Sequence, residues 1–164
     1  PLKKMRLKDH LSFWGYKLMH LTLFVALPIF MHGFAAWLVG FIIFSTVAGF
    51  ILSIVFQLAH TVEHTHFPLP DESGKMEDEW AIHQIKTTAN FATGNKVVSW
   101  CVGGLNFQVE HHLFPKISHI HYPVINRILK QTCKEFGVEY IEYPTMRKAI
   151  RSHINYLREM GRAA

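Results

Sequence analysis

Asp, Glu, Lys and Arg are missing from one continuous stretch, Leu18 to Val62. A straight helix of about 45 residues is about 68 Å long, whereas the hydrocarbon core of a bilayer is about 30 Å thick. A single straight span is excluded; two spans joined by a tight turn fit. A chain of 164 residues has little room to hide so long an uncharged run, which also excludes a purely soluble protein. Cysteine is scarce. Cys101 and Cys133 lie far apart with no C-x-x-C, which excludes a disulfide scaffold. Internal repeats and low-complexity tracts are absent, as is the pattern of a secretory signal before the first apolar run. A disordered chain is excluded by an apolar share of 49% against 18% charged residues. The sequence opens on Pro1 rather than Met and reads as an internal start, a fragment or a partial gene product.

Residues 1–17 carry Lys3, Lys4, Arg6, Lys8 and Lys17 against the single acid Asp9. The apolar stretch divides into spans at about 14–31 and 34–60, with His32-Gly33 as the turn, since glycine ends helices readily. Phe13 and Trp14 suit the headgroup region, and Pro28 is tolerable inside a membrane helix. Gly40, Ala48 and Gly49 give the second span small faces for close packing. The basic flank places 1–17 in the cytoplasm, and two spans return 61–164 to the same side. Phe67 to Gly74 reads as a loop. Helices are expected at 79–92, 96–102, 123–136 and 145–160. The fold class is therefore all-α: an integral membrane helical hairpin over 18–60, followed by a cytoplasmic helical cap over 61–164. The last helix sets Met146, Ile150, Ile154 and Leu157 against Arg147, Lys148, Arg151 and Arg158. That pattern suits a bilayer surface and a core-packed helix equally.

Twelve histidines are present, and their spacing is informative. Gln108, His111 and His112 form Q-x-x-H-H. Positions three apart share a helical face, so Gln108 and His111 can address one centre. His112, turned about 100°, can address a second. Imidazole is a ligand for iron, zinc and copper. His60 closes the charge-free run, and an ionisable group at a membrane boundary is a functional candidate. His60-Thr-Val-Glu63-His64 also spells H-x-x-E-H, in which two histidines bind zinc and Glu63 acts as general base. His64 and His66 read as a polar turn, and His83 as a supporting group or a helix-surface residue. His10, His20 and His32 are isolated. His119 and His121 belong to a loop, and His153 is a polar position of the last helix.

The run GGLNFQVEHHLFP, Gly103 to Pro115, resembles the third histidine box of membrane fatty acid desaturases. The glutamine in place of a first histidine is similar to the front-end branch and to related bacterial acyl desaturases. The resemblance covers roughly 10–161. It implies a di-iron site, with His111, His112 and Gln108 as box-three ligands and His60 as a further one. It also implies O₂ as co-substrate, and an acyl chain carried by CoA or a glycerolipid. The electron donor would be cytochrome b5 or ferredoxin, the location a bacterial inner membrane with the metal site on its cytoplasmic side, and nucleic acid no partner. The earlier boxes of H-x-x-x-H and H-x-x-H-H type are absent upstream of His60, so these residues supply part of such a site.

The reaction so implied removes two hydrogens from an unactivated acyl chain. No side chain is basic enough to deprotonate such a C–H bond, and zinc has no redox chemistry, so a redox metal is required. The rivals are a zinc-dependent membrane hydrolase built on His60, Glu63 and His64, and a catalytically silent membrane fragment. As a fragment, the chain is expected to be inactive alone.

Overall fold

The computed structural model describes residues 6–163. Residues 1–5, with Lys3 and Lys4 of the basic flank, lie outside the described residues, as does Ala164. By spatial contacts the chain forms two compact units, Pro1–Phe50 and Ile51–Ala164.

The first unit is a helical hairpin. Helix α1 runs Leu7–His32 and helix α2 Phe34–His60, each long and apolar enough to cross a membrane. Gly33, at φ 82°, makes the break; a side chain at such a φ would be strained. Helix α1 begins earlier than its apolar character suggests, where the Asp9 carboxylate accepts the Arg6 amide at 3.2 Å and caps the first turn. Its Thr22–Ala26 segment is π-helical. Pro28 has no N–H to offer the carbonyl of Phe24, four residues back. The indole Nε1 of Trp37, from α2, donates to that carbonyl instead at 2.9 Å. His20 and His32 line a cleft of about 680 Å³ with Phe24, Pro28, Trp37 and Phe41.

Among the described residues the second unit takes the last turns of α2 and adds five α-helices, a 3-10 turn at His119–His121 and one strand pair. The helices and strands are α3 (Trp80–Lys86), β1 (Asn90–Phe91), α4 (Lys96–Cys101), α5 (Gln108–Leu113), α6 (Tyr122–Glu135), β2 (Glu142–Tyr143) and α7 (Met146–Ala163). The expected helix over 79–92 stops at Lys86. Thr87 turns its hydroxyl back onto the His83 carbonyl at 2.9 Å. The amides of Ala89 and Asn90 then leave the helix for the carbonyls of Ala59 and Ile141, at 2.8 and 3.0 Å. β1 pairs in parallel with β2, Asn90 opposite Glu142 and Phe91 opposite Tyr143. This short pair is the departure from an all-α architecture. Turn-and-strand signals two residues long carry no periodicity, so the sequence does not display them.

The main core joins Val55 and Leu58 of α2 to Phe91, Ala92 and Ala149, with Val98, Val102, Met146 and Ile150 packed around them. The first half of α7 therefore turns its apolar stripe inward, while Ile154, Leu157 and Met160 stay exposed. His153, expected at a polar position, is buried. Its Nδ1 lies 2.6 Å from the Thr61 carbonyl, to which it must donate.

Candidate metal centre

His60 is the last residue of α2, and the chain beyond it is held by side chains from several elements. The freed carbonyls at a helix end need donors, and several here and in the turn beyond draw them from other segments. Ala89 N–H serves Ala59. The Thr65 hydroxyl reaches His60 at 3.2 Å and Val62 at 2.7 Å. His153 serves Thr61, and the Tyr143 hydroxyl donates to Glu63 at 2.6 Å. The Ser152 hydroxyl accepts the Glu63 amide at 3.0 Å. His60 therefore stands at an end fixed by α7, β2 and the α3–β1 connection.

The same capping undoes the shared helical face that a spacing of four would give His60 and His64. Helix α2 ends at His60, and His64 sits at φ 74° in the following turn. The Glu63 carboxylate accepts from Asn155 of α7 at 3.3 Å. A helical H-x-x-E-H geometry is thus not formed. His66 lies 3.8 Å from the Glu139 carboxylate.

Helix α5 carries the Q-x-x-H-H residues and is clamped from its buried side. Glu110 is fully buried, and its carboxyl accepts three hydrogen bonds. Asn90 donates at 2.7 Å, Asn126 at 3.0 Å and the Tyr140 hydroxyl at 2.6 Å. Asn90 also accepts the Val109 amide at 2.9 Å. Burial, with the Glu110 carboxyl nearby, raises the Tyr140 phenol far above its usual range. The clamp draws on β1, α5, α6 and the segment before β2, and it orients the helix whose other side bears the histidines.

His112 meets His60 with ring centroids 5.1 Å apart, and His111 with centroids 6.1 Å apart. The Nδ1 of His112 lies 2.7 Å from the Gln84 amide oxygen. An amide oxygen only accepts, so Nδ1 carries the proton and Nε2 keeps its lone pair. Gln108 Nε2 lies 3.4 Å from that Nε2. Burial first, then the neighbouring His60 and His111, lowers the His112 imidazole to about 4, so it is neutral at pH 7. The expected partnering of Gln108 with His111 differs here: Gln108 lies against His112, four residues on, which is equally a shared helical face. His111 turns toward the Tyr122 hydroxyl, 3.3 Å from its Nδ1.

Three imidazoles and one amide therefore gather from α2 and α5, with Gln84 of α3 behind them. No group of three or more His, Cys, Asp or Glu residues within range of one metal ion occurs among the described residues. The donor set suits a nitrogen-binding transition metal, and its number suits a share of a centre rather than all of one. The sequence leaves His83 open as a supporting group or a helix-surface residue. The contact belongs to its neighbour Gln84, while the His83 Nδ1 is buried without a hydrogen-bond partner. Glu110, Asn90, Asn126 and Tyr140 went unnoticed because nothing in their spacing joins them.

A helical protein with two helices long and apolar enough to cross a membrane, and imidazoles gathered at the end of the second, is the class that this fold and site define. Residues 2–144 match the Fatty acid desaturase family, and the chain belongs to that family. It is 49% identical over 156 residues to the sn-1 linoleoyl-lipid 6-desaturase of Synechocystis sp., covering 93% of this chain and 43% of that protein. It is 38% identical to the acyl-lipid (8-3)-desaturase of Physcomitrium patens, covering 97% and 33% respectively. The acyl-lipid (8-3)-desaturase of Mortierella alpina is 36% identical, with 91% and 33% covered. The chain thus spans less than half the length of these relatives. No solved structure matches it.

Proposed function

We propose that this chain carries part of the oxygen-activating centre of a membrane acyl-lipid desaturase. The observation that supports the reading best is the contact between His60 and His112, with the His112 Nδ1 proton given to Gln84. It leaves a neutral imidazole whose unprotonated Nε2 faces the Gln108 amide at 3.4 Å, at the end of the apolar helix. His60, His111, His112 and Gln108 would hold iron together with ligands from outside this chain. Iron bound there would supply the redox chemistry that no side chain can perform: O₂, with two electrons from the donor and two protons, would take two hydrogens from an unactivated acyl chain and leave as two waters.

The chain's own residues do the rest. Gln84 fixes the tautomer and ring orientation of His112, as partners of metal-bound histidines do. The Glu110 clamp holds α5 against β1 and α6. The capped end of α2 presents His60 where the apolar helix meets polar surroundings. An acyl chain can then reach the centre from the lipid side while its headgroup stays in water. On this reading 61–164 is cytoplasmic, and electrons arrive from cytochrome b5 or a ferredoxin. The names of the three relatives favour a glycerolipid over an acyl-CoA substrate.

The test is expression of a full-length protein containing this sequence in a host whose lipids lack the product, with gas chromatography of the fatty acids. New cis double bonds are expected, and a His112→Ala variant should form none. Iron content should fall in that variant. Zinc near one per chain with no iron would favour a hydrolase instead.

A further inference from the structure

Helix α4 has two faces of opposite fate. Val98 and Val102, one turn apart, pack into the core that contains Val55 and Leu58 of α2. Ser99 joins them on the inner side, accepting from the buried Asn106 at 3.0 Å. Val97 and Trp100 occupy the other face, 71% and 83% exposed, with Cys101 beside them, also exposed. An exposed tryptophan on a six-residue helix that is otherwise well anchored calls for a covering medium.

The place of α4 along α2 says which medium. Val55 and Leu58 precede His60 by five and two residues, so they lie about 3–8 Å from it along the helix axis, on its apolar side. The interfacial layer of a bilayer is about 5–8 Å deep on each side of the hydrocarbon. Phe56, at the same level of α2, is itself exposed, as are Ile51 and Leu52 just before it. The exposed apolar surface of the spanning helix thus reaches the level at which α4 is attached. The start of α4 carries Lys96, and its Asn95 cap accepts the amides of Val97 and Val98 at 3.0 and 3.1 Å. The helix is therefore ordered without help from its outer face.

We propose that the Val97–Trp100 face of α4 docks in the interfacial layer of the bilayer that α2 spans, as a second attachment of the Ile51–Ala164 unit to lipid. The proposal rests on the membrane-spanning reading of α2. Tryptophan is the residue suited to that layer, with an apolar ring and one N–H to donate. A lysine one turn before it favours anionic headgroups.

The test reconstitutes the full chain in vesicles of phosphatidylcholine and phosphatidylglycerol in equal parts. The phosphatidylcholine is brominated either near the top of its acyl chains or near their ends. Trp100 fluorescence is the difference between the chain and its Trp100→Phe variant. Quenching by shallow bromine above deep bromine, with protection from aqueous iodide, is expected. A nitroxide on the exposed Cys101, the other cysteine Cys133 being buried, should be more accessible to oxygen than to a water-soluble nickel chelate. Iodide quenching without bromolipid quenching would overturn the proposal, because the face then meets water. Protection from every quencher would also overturn it, because protein then covers the face, whether a second copy or another segment. Stronger quenching by deep bromine would place α4 in the hydrocarbon and overturn it likewise. The emission of a Trp14→Phe, Trp80→Phe, Trp100→Phe chain, in which Trp37 is the one tryptophan left, reports hairpin insertion separately. If neither brominated lipid quenches that emission, the spanning reading fails and the docking proposal fails with it. Insertion with a water-exposed Trp100 overturns the docking proposal alone.

Discussion

A buried carboxyl group held by neutral donors is a demanding arrangement, and Glu110 is the residue on which α5 depends. Removing one donor leaves a buried acceptor short of its partner, which costs about 1–3 kcal/mol. Tyr140→Phe should therefore lower stability by about that amount in thermal unfolding in detergent. Glu110→Gln should do at least as much harm, because its amide N–H group would face the N–H groups of Asn90 and Asn126. The Tyr140 phenol is raised by burial and by Glu110, which sets the sign of a pH effect. In the unfolded chain the phenol ionises near its ordinary value of about 10, while in the folded chain it stays protonated. Stability should accordingly fall as pH rises above about 10, and the fall should be shallower in Tyr140→Phe. A flat profile between neutrality and strong alkali would refute this. At this scale the sequence displayed His60, His111, His112 and Gln108, since histidines at helical spacing advertise themselves. It concealed Gln84, Glu110, Asn90, Asn126 and Tyr140, because common polar residues on five separate segments meet only in three dimensions.

Helix ends explain more of the architecture than helix interiors do. The break at Gly33 and the end of α2 at His60 were legible from glycine and from the first ionisable residue. The early end of α3 was not, because Thr87 to Asn90 leave the helix for tertiary partners on Ala59 and Ile141. Two elements carry tests. Trp37→Phe should leave the Phe24 carbonyl without its donor. In an apolar medium that costs several kcal/mol, so the hairpin should lose amide protection around Phe24 in hydrogen exchange. Gly104 sits at φ 80°, and a Cβ there would stand 2.6 Å from the His119 Cβ. Gly103 sits at φ 61° with open space around it. Gly103→Ala should cost about 1–2 kcal/mol from the backbone alone. Gly104→Ala should cost clearly more, because the His119–His121 turn must also move. Equal losses in unfolding measurements would contradict the close approach.

The whole molecule couples a hairpin that is long and apolar enough to span a bilayer to a small, polar-wired unit. The hairpin was legible because a run without charge has few physical explanations. The wiring was not, because it is made of single contacts between distant segments: His153 to Thr61, Tyr143 to Glu63, Gln84 to His112. The account's central claim is that His60 and His112 act together at one metal-binding centre. The most direct measurement is the fatty acid profile of cells expressing a full-length protein that contains this sequence, beside its His60→Ala, His112→Ala and His119→Ala variants, each checked for membrane abundance. The account predicts new double bonds in the unaltered protein and in His119→Ala, and none in His60→Ala or His112→Ala. Undiminished desaturation in either of the last two would contradict it.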